Sequence, residues 1–159
     1  MKVLSWDTRW EMKTPSLRPL AVTIIVIVNS VATVITLGFW FLVQQRLFGS
    51  ENLGIALDKT SVASTLGFMV ADILWAVPML IISVPGLWRL CAWGWTAAQM
   101  ANILWFYSLT SAWTRDLYVG SISSGNLLFL LFAVLSVWAT IYLWMQRHLF
   151  REHGQISAK

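Results

Sequence analysis

A chain of 159 residues that is 58% hydrophobic and only 11% charged, with a mean hydropathy of +0.69, has too little polar surface to cover a water-soluble globule, where about a quarter of residues carry charge. The net charge of +4 and pI near 9.6 would suit nucleic acid. The basic residues, however, are scattered among short segments between apolar runs and form no stripe, so the expected partners are membrane lipids and not nucleic acid.

In chain order, residues 1–19, MKVLSWDTRWEMKTPSLRP, mix charges with tryptophan. Val3, Trp6 and Trp10 fall on one helical face, which predicts a short interfacial helix in a cytoplasmic N-terminal segment. Pro15 and Pro19 then lead into the first apolar run, Leu20–Val43, where a proline at a helix start loses no hydrogen bond. That run is longer than a signal core and has no small-residue cleavage site before the polar QQR, so it is expected to be retained as a span. The segment QQRLFGSENLGIALDKTS is expected to be a loop.

Three further runs, Val62–Pro85, Cys91–Trp113 and Asn126–Gln146, each reach the length of about 20 mostly apolar residues that a bilayer crossing needs. Pro85-Gly86 is expected to stop the second helix, with the third starting almost at once as an antiparallel hairpin. TRDLYVGSISSGN reads as a small outer loop and residues 147–159 as a basic cytoplasmic tail. The fold class is therefore all-α, an integral membrane four-helix antiparallel transmembrane bundle over residues 20–146.

Charge sets the orientation. Lys2, Arg9, Lys13, Arg18, Arg89, Arg147, Arg151 and Lys159 fall on one side of these spans and only Arg46, Lys59 and Arg115 on the other. The positive-inside rule then puts both termini in the cytoplasm of a multi-pass protein of the plasma (inner) membrane. Trp40 and Trp113 near outer ends, and Trp88, Trp93, Trp95 and Trp144 near inner ends, read as interface belts.

One carboxylate, Asp72, interrupts the apolar stretch GFMVADILWAVPML. A charge at a helix centre costs a few kcal/mol on insertion scales, so Asp72 is expected to face the bundle interior, hydrogen-bonded or protonated. Counted inward from the cytoplasmic side, Asn29, Asp72 and Asn102 lie at similar depth, and Gln99 shares the face of Asn102; these residues are expected to form a polar seam. Trp75, three residues after Asp72, and Trp105, three after Asn102, would add an aromatic wall. Pro78 is expected to kink the helix just inward of Asp72. The small residues Ala63, Gly67 and Ala71, and the pair Ala97 and Ala101, are read as helix-packing faces.

Other chemistry has no residues to carry it. No span contains a histidine or a glutamate, the single Cys91 cannot form an internal disulfide, and His148 and His153 both fall in the tail, so no metal, haem or other cofactor is expected. No hydroxyl has a histidine or lysine base at bundle depth. The first expectation is accordingly a non-enzymatic accessory or interaction subunit, or a homo-oligomer, because the chain is nearly all span. An alternative is a small proton-coupled transporter or ligand-binding bundle working through Asp72. A second alternative is an intramembrane acid–base enzyme on a lipidic substrate, with Tyr107 as accessory donor.

Overall fold

The computed structural model describes residues 18–52, 58–122 and 124–150, which are helical, with no strand among them. The interfacial helix expected near Trp6 and the far end of the tail lie outside the described residues.

Helix α1 spans Leu20–Asn52. The carbonyl of Pro19 accepts its first bonds, from the amides of Val22 (3.0 Å) and Thr23 (3.3 Å). It runs past the expected end at Val43, because Gln44, Gln45, Arg46 and Leu47 are all good helix formers and no proline stops them. The expected outer loop is thus largely a helical extension.

Helix α2, Lys59–Ala71, is capped by the Asp58 side chain, which accepts from the Ser61 amide at 2.8 Å. It continues through a π-turn at Asp72–Ala76 into α3, Val77–Trp88, and the three pieces form one rod. Pro78 explains the π-turn. A ring at this position would strike the carbonyl of Leu74 in a regular helix, and Pro78 has no amide to offer it. Widening the preceding turn, with the Val77 amide bonding the Asp72 carbonyl five residues back, relieves both conflicts. The distortion expected at Pro78 therefore takes the form of a bulge that begins at Asp72.

Pro85 does not stop α3, contrary to the expectation from Pro85-Gly86. It sits on the exposed side of the helix, which ends three residues later at Trp88. The stop is Leu90, left-handed at φ 55°. The Cys91 amide reaches the Gly86 carbonyl (2.8 Å) and the Leu90 amide the Leu87 carbonyl (3.1 Å), which is a Schellman motif with leucine in the place glycine usually takes. The Leu90 side chain is buried in the inner core, and that burial offsets the backbone penalty.

Helix α4, Ala92–Val119, ends at Gly120 (φ 75°), so Arg115 and Asp116 are helical where the sequence suggested a loop. Helix α5 covers Ser124–Met145. Beyond it Phe150 folds back into the inner core, so the first residues of the tail are not simply solvated.

The order of side-chain bonds shows how the rods run. Asn29 and Trp40 of α1 meet Ser83 and Asp72 in reverse order, Gln99 of α4 meets Thr140 of α5, and Asp116 of α4 meets Asn126 of α5. Neighbouring rods are antiparallel, with α3 packed between α1 and α4, and α5 against α4. The tightest approach is Gly86 to Gly94: a Cβ on Gly86 would lie 2.3 Å from the Gly94 Cα. Only glycine fits on either side of that crossing.

Two apolar clusters make the core. The inner one joins Val22, Ile25, Leu87, Ala98, Leu143 and Phe150, and the next outward joins Ala32, Leu80, Ala101 and Phe132. The Trp95 indole caps α5 by donating to the Leu143 carbonyl at 2.8 Å, a group with no intrahelical partner so near the helix end. Two helical stretches are long and apolar enough to cross a membrane, Leu20–Gly49 and Lys59–Trp88, and Phe129–Met145 is a shorter apolar stretch. Large apolar side chains such as Ile27, Phe41, Ile73, Ile103 and Leu131 point outward, the reverse of a soluble surface. Ala63, Gly67 and Ala71 also face outward, and a Cβ on Gly67 would meet nothing, so this stripe packs against no other helix among the described residues. Ala97 and Ala101 are buried.

Candidate functional site

Asp72 stands at the start of the π-turn, where α1 and α4 both reach it. Its Oδ2 accepts from the Trp40 indole Nε1 at 2.9 Å and its Oδ1 from the Ser108 hydroxyl at 3.4 Å. The three residues are level because α3 and α4 have equal arms. Sixteen residues separate Asp72 from Trp88 at the end of α3, and sixteen separate Ala92 from Ser108.

Beside the carboxylate is a cavity of about 320 Å³, at the lower end of the range for small-ligand sites. Thr36, Phe39 and Trp40 of α1, Phe68 of α2, and Leu104, Trp105 and Ser108 of α4 surround its inner part. Phe39 meets Phe129 of α5 edge-on at 5.0 Å, and Phe129 meets Trp105 at 5.4 Å, closing an aromatic wall from α1 to α4. The Thr36 hydroxyl, buried at 3% exposure, has no hydrogen-bond partner and borders this space.

The Ala32–Leu80–Ala101–Phe132 cluster lies inward of the cavity, with Leu80 one turn past Ala76 in its lining. The opposite end is basic: Arg46 and Arg115 line it with Thr65 and Asn126. Arg115 pairs with the buried Asp116 at 3.2 Å, and Asp116 also accepts from Asn126 at 2.6 Å, tying α4 to α5 there.

Of the six residues expected to form one polar and aromatic seam, the cavity brings together Asp72 and Trp105. Asn29 lies further inward and donates to Ser83 at 2.8 Å. Gln99 donates to the Thr140 carbonyl at 3.3 Å. Asn102 is buried, with its Nδ2 unpartnered, and does not line the cavity. Trp75 points out of the bundle at 61% exposure, because the wide π-turn rotates it off the face it would share with Asp72 in a regular helix, and Ala76 lines the cavity instead. Tyr107 is likewise turned outward.

Trp40, Ser108, Arg46 and Arg115 escaped the sequence reading. Trp40 looked like an interface residue, yet a buried indole N–H needs an acceptor, and Asp72 was the one acid within a span to offer it. Ser108 does not stand out in the sequence because the expected helix ends put Asp72 and Asn102 within two residues of one height, whereas the structure sets Asp72 six residues further out. Among the described residues no group of three histidine, cysteine, aspartate or glutamate side chains could hold a metal ion. No family model, curated protein or solved structure matches the chain.

Proposed function

We propose that the chain is a multi-pass membrane protein, a four-helix antiparallel bundle with both termini in the cytoplasm, and that it binds a small cationic or hydroxylated solute at Asp72. The outward apolar surface of every rod supports the membrane reading. So do the two long apolar helices: 30 residues rise about 45 Å, more than the roughly 30 Å of a hydrocarbon core. The order of the basic residues along the sequence, eight in the segments before the first, between the second and third and after the fourth apolar runs against three in the other two segments, supports the orientation.

The observation that carries the binding reading is the cavity itself. Its wall presents one carboxylate, the hydroxyls of Thr36 and Ser108 and several aromatic faces around one space, a set that can hold a positive or hydrogen-bonding group out of water. No histidine or lysine base stands beside Ser108 or Thr36 among the cavity-lining residues, so binding or carriage is favoured over covalent chemistry.

The test is uptake and binding of organic cations and polyols by the protein in reconstituted vesicles. Wild type should take up or bind a member of this class, and Asp72→Asn should abolish it while the protein remains monodisperse and helical. Equal activity in Asp72→Asn would remove the reading. Silence of both proteins, with a co-migrating partner in native gels, would return the chain to the accessory-subunit class.

A further inference from the structure

The cavity is polarised along its length, and the separation of its poles specifies more about the occupant than Asp72 does alone. At the inner pole, Trp40 and Ser108 both donate to Asp72. The carboxylate is thereby held in place with lone pairs to spare, beside aromatic faces that attract a desolvated cation. At the outer pole stand two guanidinium groups. Arg46 is six residues beyond Trp40 on α1, and Arg115 is seven beyond Ser108 on α4. Both helices run in the same direction, so the two arginines lie about 9–10 Å outward of the carboxylate.

Asp116 offsets part of this charge through its bond to Arg115, but a guanidinium has five donors and that contact occupies few of them. Between the poles the lining is apolar, with Val43, Phe68 and Leu109.

We propose that the occupant is a dipolar amphiphile. Its ammonium group sits at Asp72 between the rings of Trp40 and Trp105, its apolar body spans about 10 Å of wall, and its anionic group meets Arg46 and Arg115. This rests on the reading of Asp72 as a cation site and adds the second pole. A molecule carrying one of the two charges makes contacts at one pole alone, and so gains less affinity than one that carries both. A molecule carrying both at the wrong spacing can reach only one pole at a time.

The experiment uses the full chain in lipid nanodiscs and calorimetric titration with three probe series of increasing length: ω-aminoalkanoic acids, n-alkylamines and n-alkanoic acids. The expected result is an affinity optimum in the amino-acid series at a charge separation of about 10 Å, with binding there about ten-fold or more tighter than for the amine or acid of equal length. Arg46→Gln with Arg115→Gln should erase that advantage and leave the amines unaffected, whereas Asp72→Asn should weaken amines and amino acids alike. Amines binding as tightly as amino acids, with no length optimum, would overturn the dipolar occupant and leave the cation site standing. Alkanoic acids binding while amines do not would overturn both, as would no binding in any series. A double arginine variant that loses structure is replaced by Arg46→Lys with Arg115→Lys, which keeps the charge but not the planar fork and should retain the optimum at reduced affinity.

Discussion

The indole nitrogen of Trp40 lies 2.9 Å from a carboxylate oxygen of Asp72, joining α1 to the π-turn across 32 residues of sequence. It is the shorter of the two side-chain bonds that hold the acid beside the cavity. Trp40→Phe keeps an aromatic ring and removes the donor, so the expected cost is about 1 kcal/mol of stability. Combined with Asp72→Asn in a double-mutant cycle, the pair should couple by about 0.6–2 kcal/mol, the range for hydrogen bonds between membrane helices. Thermal denaturation in a fixed detergent measures it, and strict additivity would show that the bond carries no energy.

The contact between Gly86 and Gly94 leaves no room for a methyl group on either residue. Gly86→Ala and Gly94→Ala should each force α3 and α4 apart, and the expected loss is about 3 kcal/mol or more, beyond the usual range for overpacking, because the atoms in the way are backbone. Gly67→Ala and Gly38→Ala, which face open space, should instead be neutral or mildly stabilising. Equal melting temperatures for the two classes would contradict the close approach.

Leu90 sets a conformational cost against burial. Leu90→Ala loses the buried side chain and keeps the left-handed penalty, whereas Leu90→Gly loses the side chain and relieves it. Both variants should be less stable than the parent, with glycine the milder by about 1 kcal/mol. Denaturant titration of the three proteins gives the order directly, and alanine outranking glycine would contradict the turn geometry.

Pro78 is the cause assigned to the π-turn, and Pro78→Ala tests it. With an amide restored at that position and the ring gone, Asp72–Ala76 should tighten into a regular helix and turn the carboxylate relative to Trp40. The expected signature is a gain in thermal stability together with lost solute binding at Asp72. Unchanged binding would mean that the bulge is held by packing and not by proline.

Helix content, the two long apolar helices and the inward face of Asp72 are legible because they depend on local composition and period. The partners of Asp72 are not, because they depend on relative height, and small displacements of two helix ends add up. Pro85 reads as a stop but lies on the exposed side of α3, so the helix keeps its core contacts and continues to Trp88. Those three residues are most of a helical turn. They make half of the six residues by which Asp72 lies further from the turn than Asn102; two more are the difference between thirteen residues from Pro85 and eleven from Cys91, and the last comes from α4 starting at Ala92. Trp75 was misplaced for a different reason, since a π-turn has no signature in hydrophobic period and changes which neighbours share a face. Arg46 and Arg115 were assigned to loops because polar residues beyond an apolar run look like its end, although α1 and α4 continue through them.

The crossing at Gly86 and Gly94 also acts as a fulcrum. From that crossing, the α2–α3 rod and α4 extend fourteen residues each to Asp72 and Ser108, lever arms of about 21 Å. Over that length a rocking of a few degrees at the glycines becomes an ångström-scale change in gap width at the carboxylate. Any change in the angle at which the two glycines meet would thus be magnified at the chamber.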